Sequence, residues 1–190
     1  MSICRSVVLG MMVAAGGASG AAEPAPSLPL VAVPRPPASD AELLGVLATI
    51  HAVNRAAAEP GRKRGKDPRV QALAEEIVHH AWVGQHRTAA LVRKMEVKNV
   101  GGDTTDGLRF AAKRAFPEME SLARGREFDE AWLAGQIETL TLVIDTINNK
   151  SRPYAQAQAL RDELVRVVEQ AAADLVAAET VRAELGKPTS

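Results

Sequence analysis

The sequence predicts an all-α fold, an up-down four-helix bundle, and three observations carry that prediction. No segment alternates apolar and polar residues with period two, so no sheet is expected. The stretch from Asp67 to Met95 sets Val70, Ala74, Ile77, Ala81, Gly84, Thr88, Leu91 and Met95 at alternating spacings of four and three. All eight then share one stripe of a long helix, able to bury a seam against partner helices. Three more segments repeat helical periodicity over comparable lengths, and long amphipathic helices close their apolar stripes on one another.

Taken in order, residues 1–22 read as a secretory signal peptide. Arg5 gives the positive start, Val7 to Val13 the apolar stretch, and small residues follow, with cleavage fitting after Gly20 or Ala22. That run is too short to span a bilayer. Cys4, the only cysteine, precedes the run, which argues against a lipoprotein anchor. A mature chain lacking it has no disulfide, thiolate metal site or cysteine nucleophile. Residues 23–38 hold six of the eleven prolines and read as an extended spacer that does not pack. The folded domain is expected over residues 39–188.

The first long helix starts at Ser39, which forms a capping box with Glu42. Leu43, Leu47, Ile50, Asn54 and Ala57 make its stripe. Pro60-Gly61 is expected to end it, leaving Arg62 to Lys66 as a solvated basic loop. In the second helix Asp67 is the cap and Pro68, which needs no donor there, the first residue. Asn99 to Gly102 stop it. Asp106–Ala115 and Glu118–Arg124 read as short helices parted by Pro117. The third long helix runs from about Glu127 to Asn148. Leu133, Ile137, Leu140, Ile144 and Ile147 lie on one stripe, and Trp132, Gly135 and Thr139 on a neighbouring one, so it should touch two neighbours. The fourth runs from about Pro153 to Leu185, with Leu160, Leu164, Val167, Ala171, Leu175, Ala178, Val181 and Leu185 as buried candidates and Gly186 as its stop.

Composition excludes several classes of function. Lys+Arg and Asp+Glu balance at 23 each, and loss of Arg5 leaves a single net negative charge, so bulk attraction to DNA or anionic lipid is not expected. Six aromatic residues are too few for a stacking platform on single-stranded nucleic acid. Without alternating strands there is no membrane barrel. The serines lie at caps and loops with no glycine elbow, and no glycine-rich phosphate loop follows a strand.

Metal binding is the best candidate for chemistry. A di-metal site in a helical bundle takes Glu from two helices and Glu-x-x-His from the other two, because i and i+3 share a helix face. The second helix supplies Glu76 with His79 once, and Glu76 with His80 at i+4; the third and fourth helices contain no histidine. His79 and His86 lie opposite the apolar stripe, while His51 and His80 flank their stripes. Asn54 falls on the core stripe of the first helix. Asp174 falls on that of the fourth if heptad spacing persists, but turns outward if Leu175 takes its place. A buried Asn usually fixes helix register rather than catalyses.

Two motifs point to a family. Asp67-Pro68-Arg69-Val70-Gln71-Ala72-Leu73-Ala74 leads the second helix. Phe128-Asp129-Glu130-Ala131-Trp132-Leu133-Ala134-Gly135-Gln136 opens the third, close to a Phe-Asp-x-x-Tyr-x-x-x-Gln signature with Trp132 at the Tyr position. On these the chain, from about Asp40 to Leu185, resembles the bacterial ferritin-like family of unknown function whose members are often labelled outer-membrane proteins. That family carries a Glu in its first helix, an Asp-His pair in its second and a His in each of its third and fourth. The aligned positions here hold Asn54, His80-Ala81, Leu140 and Gln170 or Ala171. The resemblance therefore implies a degenerate member without the core histidines, and fold and export rather than activity.

Periodicity separately puts Ala81, Leu140 and Ala171 on buried stripes. The interior is thus expected to be apolar from end to end, with the histidines turned to solvent. The expected role is that of an exported, non-enzymatic protein of the periplasm or cell envelope, engaged in protein–protein interaction or stress support. An unidentified envelope protein is the expected partner. No cofactor, metal, nucleic acid or membrane-spanning segment in the mature chain is expected. The alternative is a ferritin-like metal- or oxidant-handling protein using His51, Glu76, His79 or His80. A third class is a sensor holding a hydrophobe in a gap at Ala81, Gly84 and Gly135, although small residues more often permit close helix approach.

Overall fold

A computed structural model describes residues 37, 39–116, 119 and 121–185, all of them in one unit, Val33–Ser190. The expected signal peptide, the linker apart from Pro37, and residues 186–190 lie outside the described residues. Pro37 itself is buried, so this one residue of the expected spacer does pack. Among the described residues every regular element is helical: α1 Asp40–Arg64, α2 Pro68–Met95, α3 Asp103–Arg114, α4 Arg126–Asp145 and α5 Gln158–Leu185.

The caps form as their residue types dictate. Ser39 Oγ accepts from Glu42 N at 3.3 Å, and the Asp67 carboxylate accepts from Arg69 N at 2.8 Å. Helix α2 ends at Met95, four residues before the expected stop, where Glu96 takes a left-handed conformation (φ 55°) that closes the last turn. Helix α1 corrects the sequence reading in the other direction. It runs through Pro60-Gly61 to Arg64. An interior proline loses a backbone hydrogen bond and costs about 3 kcal/mol, so something distant must hold this turn. Gly61 lies directly under the Trp132 indole, whose Nε1 donates to the Ala57 carbonyl at 2.9 Å. Arg64 donates to the carbonyls of Met119 and Leu122 and lies 4.6 Å from the centre of the Phe128 ring. The expected basic loop is therefore mostly the last turn of α1, where cations suit the helix dipole. Arg62 also pairs with Glu59 at 2.8 Å.

Between α2 and α4 the described residues form one short helix, α3, which starts three residues earlier than expected. The described residues after Pro117 form turns rather than a second helix. At the far end, α4 passes into a π-helical turn, Thr146–Ser151, and a 3₁₀ turn, Arg152–Tyr154. Helix α5 begins only at Gln158. The 3₁₀ turn takes up Pro153, and the Asp40 carboxylate takes the N–H groups of Gln156 and Ala157 at 2.9 and 3.0 Å, holding that stretch out of the helix. A second carboxylate does the same at the other turn. Asp129, buried at the start of α4, accepts from Lys66 N at 2.9 Å and Asp67 N at 2.8 Å and so fixes the connection from α1 to α2.

Helix α1 packs along α2, and α4 along α5; α1 also meets α3 and α4, and α2 meets α5. The apolar interior falls into two halves. One gathers Leu43, Leu47, Ile50, Leu140, Ile147, Leu160 and Leu164. The other gathers Val70, Leu73, Ile77, Phe128, Trp132 and Leu133. The stripe of α2 behaves as its spacing predicts: Val70, Ala74, Ile77, Ala81, Gly84 and Thr88 are buried, and Leu91 and Met95 half-buried.

Candidate functional site

Polar residues lie where three of the long helices pass between the two apolar halves. On α1 these are His51 and Asn54, on α4 Gln136, and on α5 Asp174, all buried. The expectation of an apolar middle with every histidine facing water is therefore corrected. His51 and Asn54 are only 5% and 8% exposed. Helix α1 has neighbours on three sides, so its buried arc is wide enough to take in a residue beside the stripe. Gly84 makes this possible on α2: a Cβ there would stand 2.2 Å from the His51 ring. Of the three small residues at which a ligand gap is expected, Gly84 and Gly135 instead allow close approach, beneath His51 and Phe116 respectively, and Ala81 borders a cavity of about 20 Å³.

Asp174 keeps its place on the stripe of α5 and is buried, while Leu175 is half-buried. Its Oδ1 lies 3.0 Å from His80 Nδ1 and accepts from Gln170 Nε2 at 3.2 Å. His80 Nδ1 also lies 3.0 Å from Gln170 Nε2, so His80, Gln170 and Asp174 form one polar cluster. Burial pushes the Asp174 carboxyl above its ordinary range, against the pull of His80 and Gln170. His51 moves oppositely to its usual value. Burial lowers it to about 4, with Glu163 opposing and Arg87 assisting, so its imidazole is neutral at pH 7. Glu163, also buried, is held by Arg87 at 2.9 Å and Arg166 at 3.0 Å.

His51, Asn54, His80, Gln170 and Asp174 line a cavity of about 20 Å³, room for one water-sized occupant. His51 Nε2 and Asn54 Oδ1 have no hydrogen-bond partner among the described residues, and neither side-chain amide atom of Gln136 has one. Unpartnered buried polar atoms are uncommon and mark this layer as the chemically unusual part of the interior.

The metal set suggested by the sequence is not brought together. Glu76 and His79 stand exposed on the outer face of α2, His80 sits at the edge of the layer, and His51 lies inside it. Among the described residues no group of three His, Cys, Asp or Glu side chains could hold a metal ion. His79 and His86 do face outward, the latter with its ring centre 4.1 Å from that of exposed Trp82. Sequence reasoning named Asn54 and Asp174 but missed Gln136. Its position, three residues past Leu133 and four before Leu140, was the available signal.

A second feature had no signal in the sequence. On the face shared by α1 and α3, an open groove of about 800 Å³ is lined by Ala52, Val53, Ala56 and Ala57, by Ala112, and by Phe116 and Met119. That volume is typical of small-molecule sites.

Helices alone, packed as two apolar halves around a polar layer, define an all-α, bundle-like domain, and among the described residues no helix is long and apolar enough to cross a membrane. The chain belongs to the family described as a domain of unknown function, DUF4142, which matches it over residues 25–181. No curated protein and no solved structure matches it. The buried Phe128 and Asp129 of the second motif explain part of that motif by folding: one lies under Arg64, the other holds the α1–α2 connection.

Proposed function

We propose that this chain is an exported, non-catalytic protein of the cell envelope that works by binding. In this reading α1, α2, α4 and α5 form an up-down, ferritin-like four-helix arrangement whose central donor set has been dismantled. Asn54, His80, Ala81, Gln170 and Ala171, the positions aligned with the family's polar residues apart from Leu140, all border the small central cavity. The observation that carries the binding role is the groove between α1 and α3. It is sized for a ligand and lined mainly by carbon, and among the described residues no histidine, cysteine or carboxylate lines it. An envelope protein is the partner expected to supply or receive what is bound.

Two measurements test this. Protein recovered from a periplasmic fraction should begin just after Gly20 or Ala22; an intact amino terminus on cytoplasmic protein removes the export reading. A neutral apolar fluorophore should bind once per chain with a blue shift; a flat titration removes the binding reading.

One observation favours a second reading, the handling of a metal or oxidant. His51 Nε2 and Asn54 Oδ1 are unpartnered and, with His80 and Asp174, border one cavity. Stoichiometric iron, zinc or manganese in protein purified without a His-tag, lost in His80→Ala, would establish that reading over the first.

A further inference from the structure

The groove carries more information than its size. Along α1 its lining runs from Thr49 to Pro60, roughly 16 Å of helix axis at 1.5 Å per residue. Thr49 marks one end, where Arg109 of α3 reaches across and donates to Thr49 Oγ1 at 3.3 Å. Phe116 and Met119 mark the other. The Phe116 ring is seated against Gly135 of α4, so that end is backed by a fixed wall. Among the described residues, the charged side chains on the lining are both cations, Arg109 and Lys113, one turn apart on α3. The Arg109–Asp106 pair, at 3.0 Å, is exposed on both sides, so its guanidinium is cheaply redirected to another carboxylate.

We propose that this groove binds an amphiphile with one medium-length acyl chain and a carboxylate head. The chain lies along Ala52 and Ala56 towards Phe116. The head meets Arg109, which offers a two-pronged hydrogen-bond donor, and Lys113. The proposal rests on the binding role above and adds the ligand class and its orientation.

The test is calorimetric titration of the full mature chain at pH 7.5 with dodecanoate, dodecanol and dodecylammonium, each kept below its micelle concentration. Dodecanoate should bind once per chain, at least tenfold tighter than dodecanol, with dodecylammonium weakest. Arg109→Gln combined with Lys113→Gln, both at exposed positions, should weaken dodecanoate at least tenfold and leave dodecanol unchanged. Ala56→Trp, also at an exposed position, should fill the groove and abolish both, with circular dichroism confirming that the fold persists. Equal affinity for acid and alcohol, indifferent to the double variant, overturns the carboxylate head while leaving a binding role standing. Binding unaffected by Ala56→Trp places the ligand elsewhere and overturns the site. A dimer in sedimentation that Ala56→Trp disperses makes the occupant a second copy and overturns the acyl ligand. No binding of any apolar probe removes the role and the ligand together.

Discussion

His51 is a base held in a place that refuses its proton. Its neutral form is the buried one, and its value of about 4 lies below the 6.5 of an unfolded chain. Between those values the unfolded state takes up a proton that the folded state excludes. Stability is therefore complete above pH 6.5 and falls as the pH drops towards 4, by about 3 kcal/mol in all. Asp174 has the opposite slope: its raised carboxyl value makes acid favour the folded state over the window just above the ordinary carboxylate range. Urea denaturation between pH 7.5 and 4.5 should show the histidine slope, flattened in His51→Gln; an equal slope in the variant refutes the assignment. Gly84→Ala should cost about 1–3 kcal/mol, because its new methyl group meets the His51 ring. Combined with His51→Ala it should cost at least about 0.5 kcal/mol less than the sum of the single changes. The sequence made Asn54 legible because it sits on the stripe, and Asp174 legible as one of two registers. It hid His51, since how far a buried arc extends past the stripe depends on how many neighbours a helix has.

The elements are held at their ends by carboxylates from elsewhere in the chain. Asp129 accepts two backbone N–H groups at the α1–α2 connection, a motif residue whose task is structural. Asp129→Ala should destabilise by about 2–3 kcal/mol through two lost charge-assisted bonds, and Asp129→Asn by less, since one acceptor oxygen remains. Thermal unfolding of the two variants against the parent checks the order; equal values for both would mean that charge rather than geometry carries the effect. The same distance explains the misread helix end. Pro60-Gly61 is a stop by local rules, but Trp132, more than seventy residues away, covers the glycine and hydrogen-bonds the preceding turn. The residues after Pro117 carried a helical pattern too weak to overrule the turn that Arg64 pins through the Met119 and Leu122 carbonyls.

For the molecule as a whole, period and length were enough to read an all-helical chain and the buried face of α2. They could not show how α3 lies on α1, and so could not show the groove. They also merged the interior into one apolar body, because a stripe read from one helix cannot tell that its polar positions align with those of two others. The two apolar pools share no residue. Ile50→Val in one and Ile77→Val in the other should each cost about 0.5–1.5 kcal/mol. Made together, they should cost the sum to within about 0.5 kcal/mol, because distant sites without common partners do not couple. A shortfall beyond that, measured by equilibrium denaturation, would mean that the layer between them transmits strain. If the costs do add, each pool can drift under mutation without its opposite number having to compensate, and the sequences at the two ends are free to change at different rates.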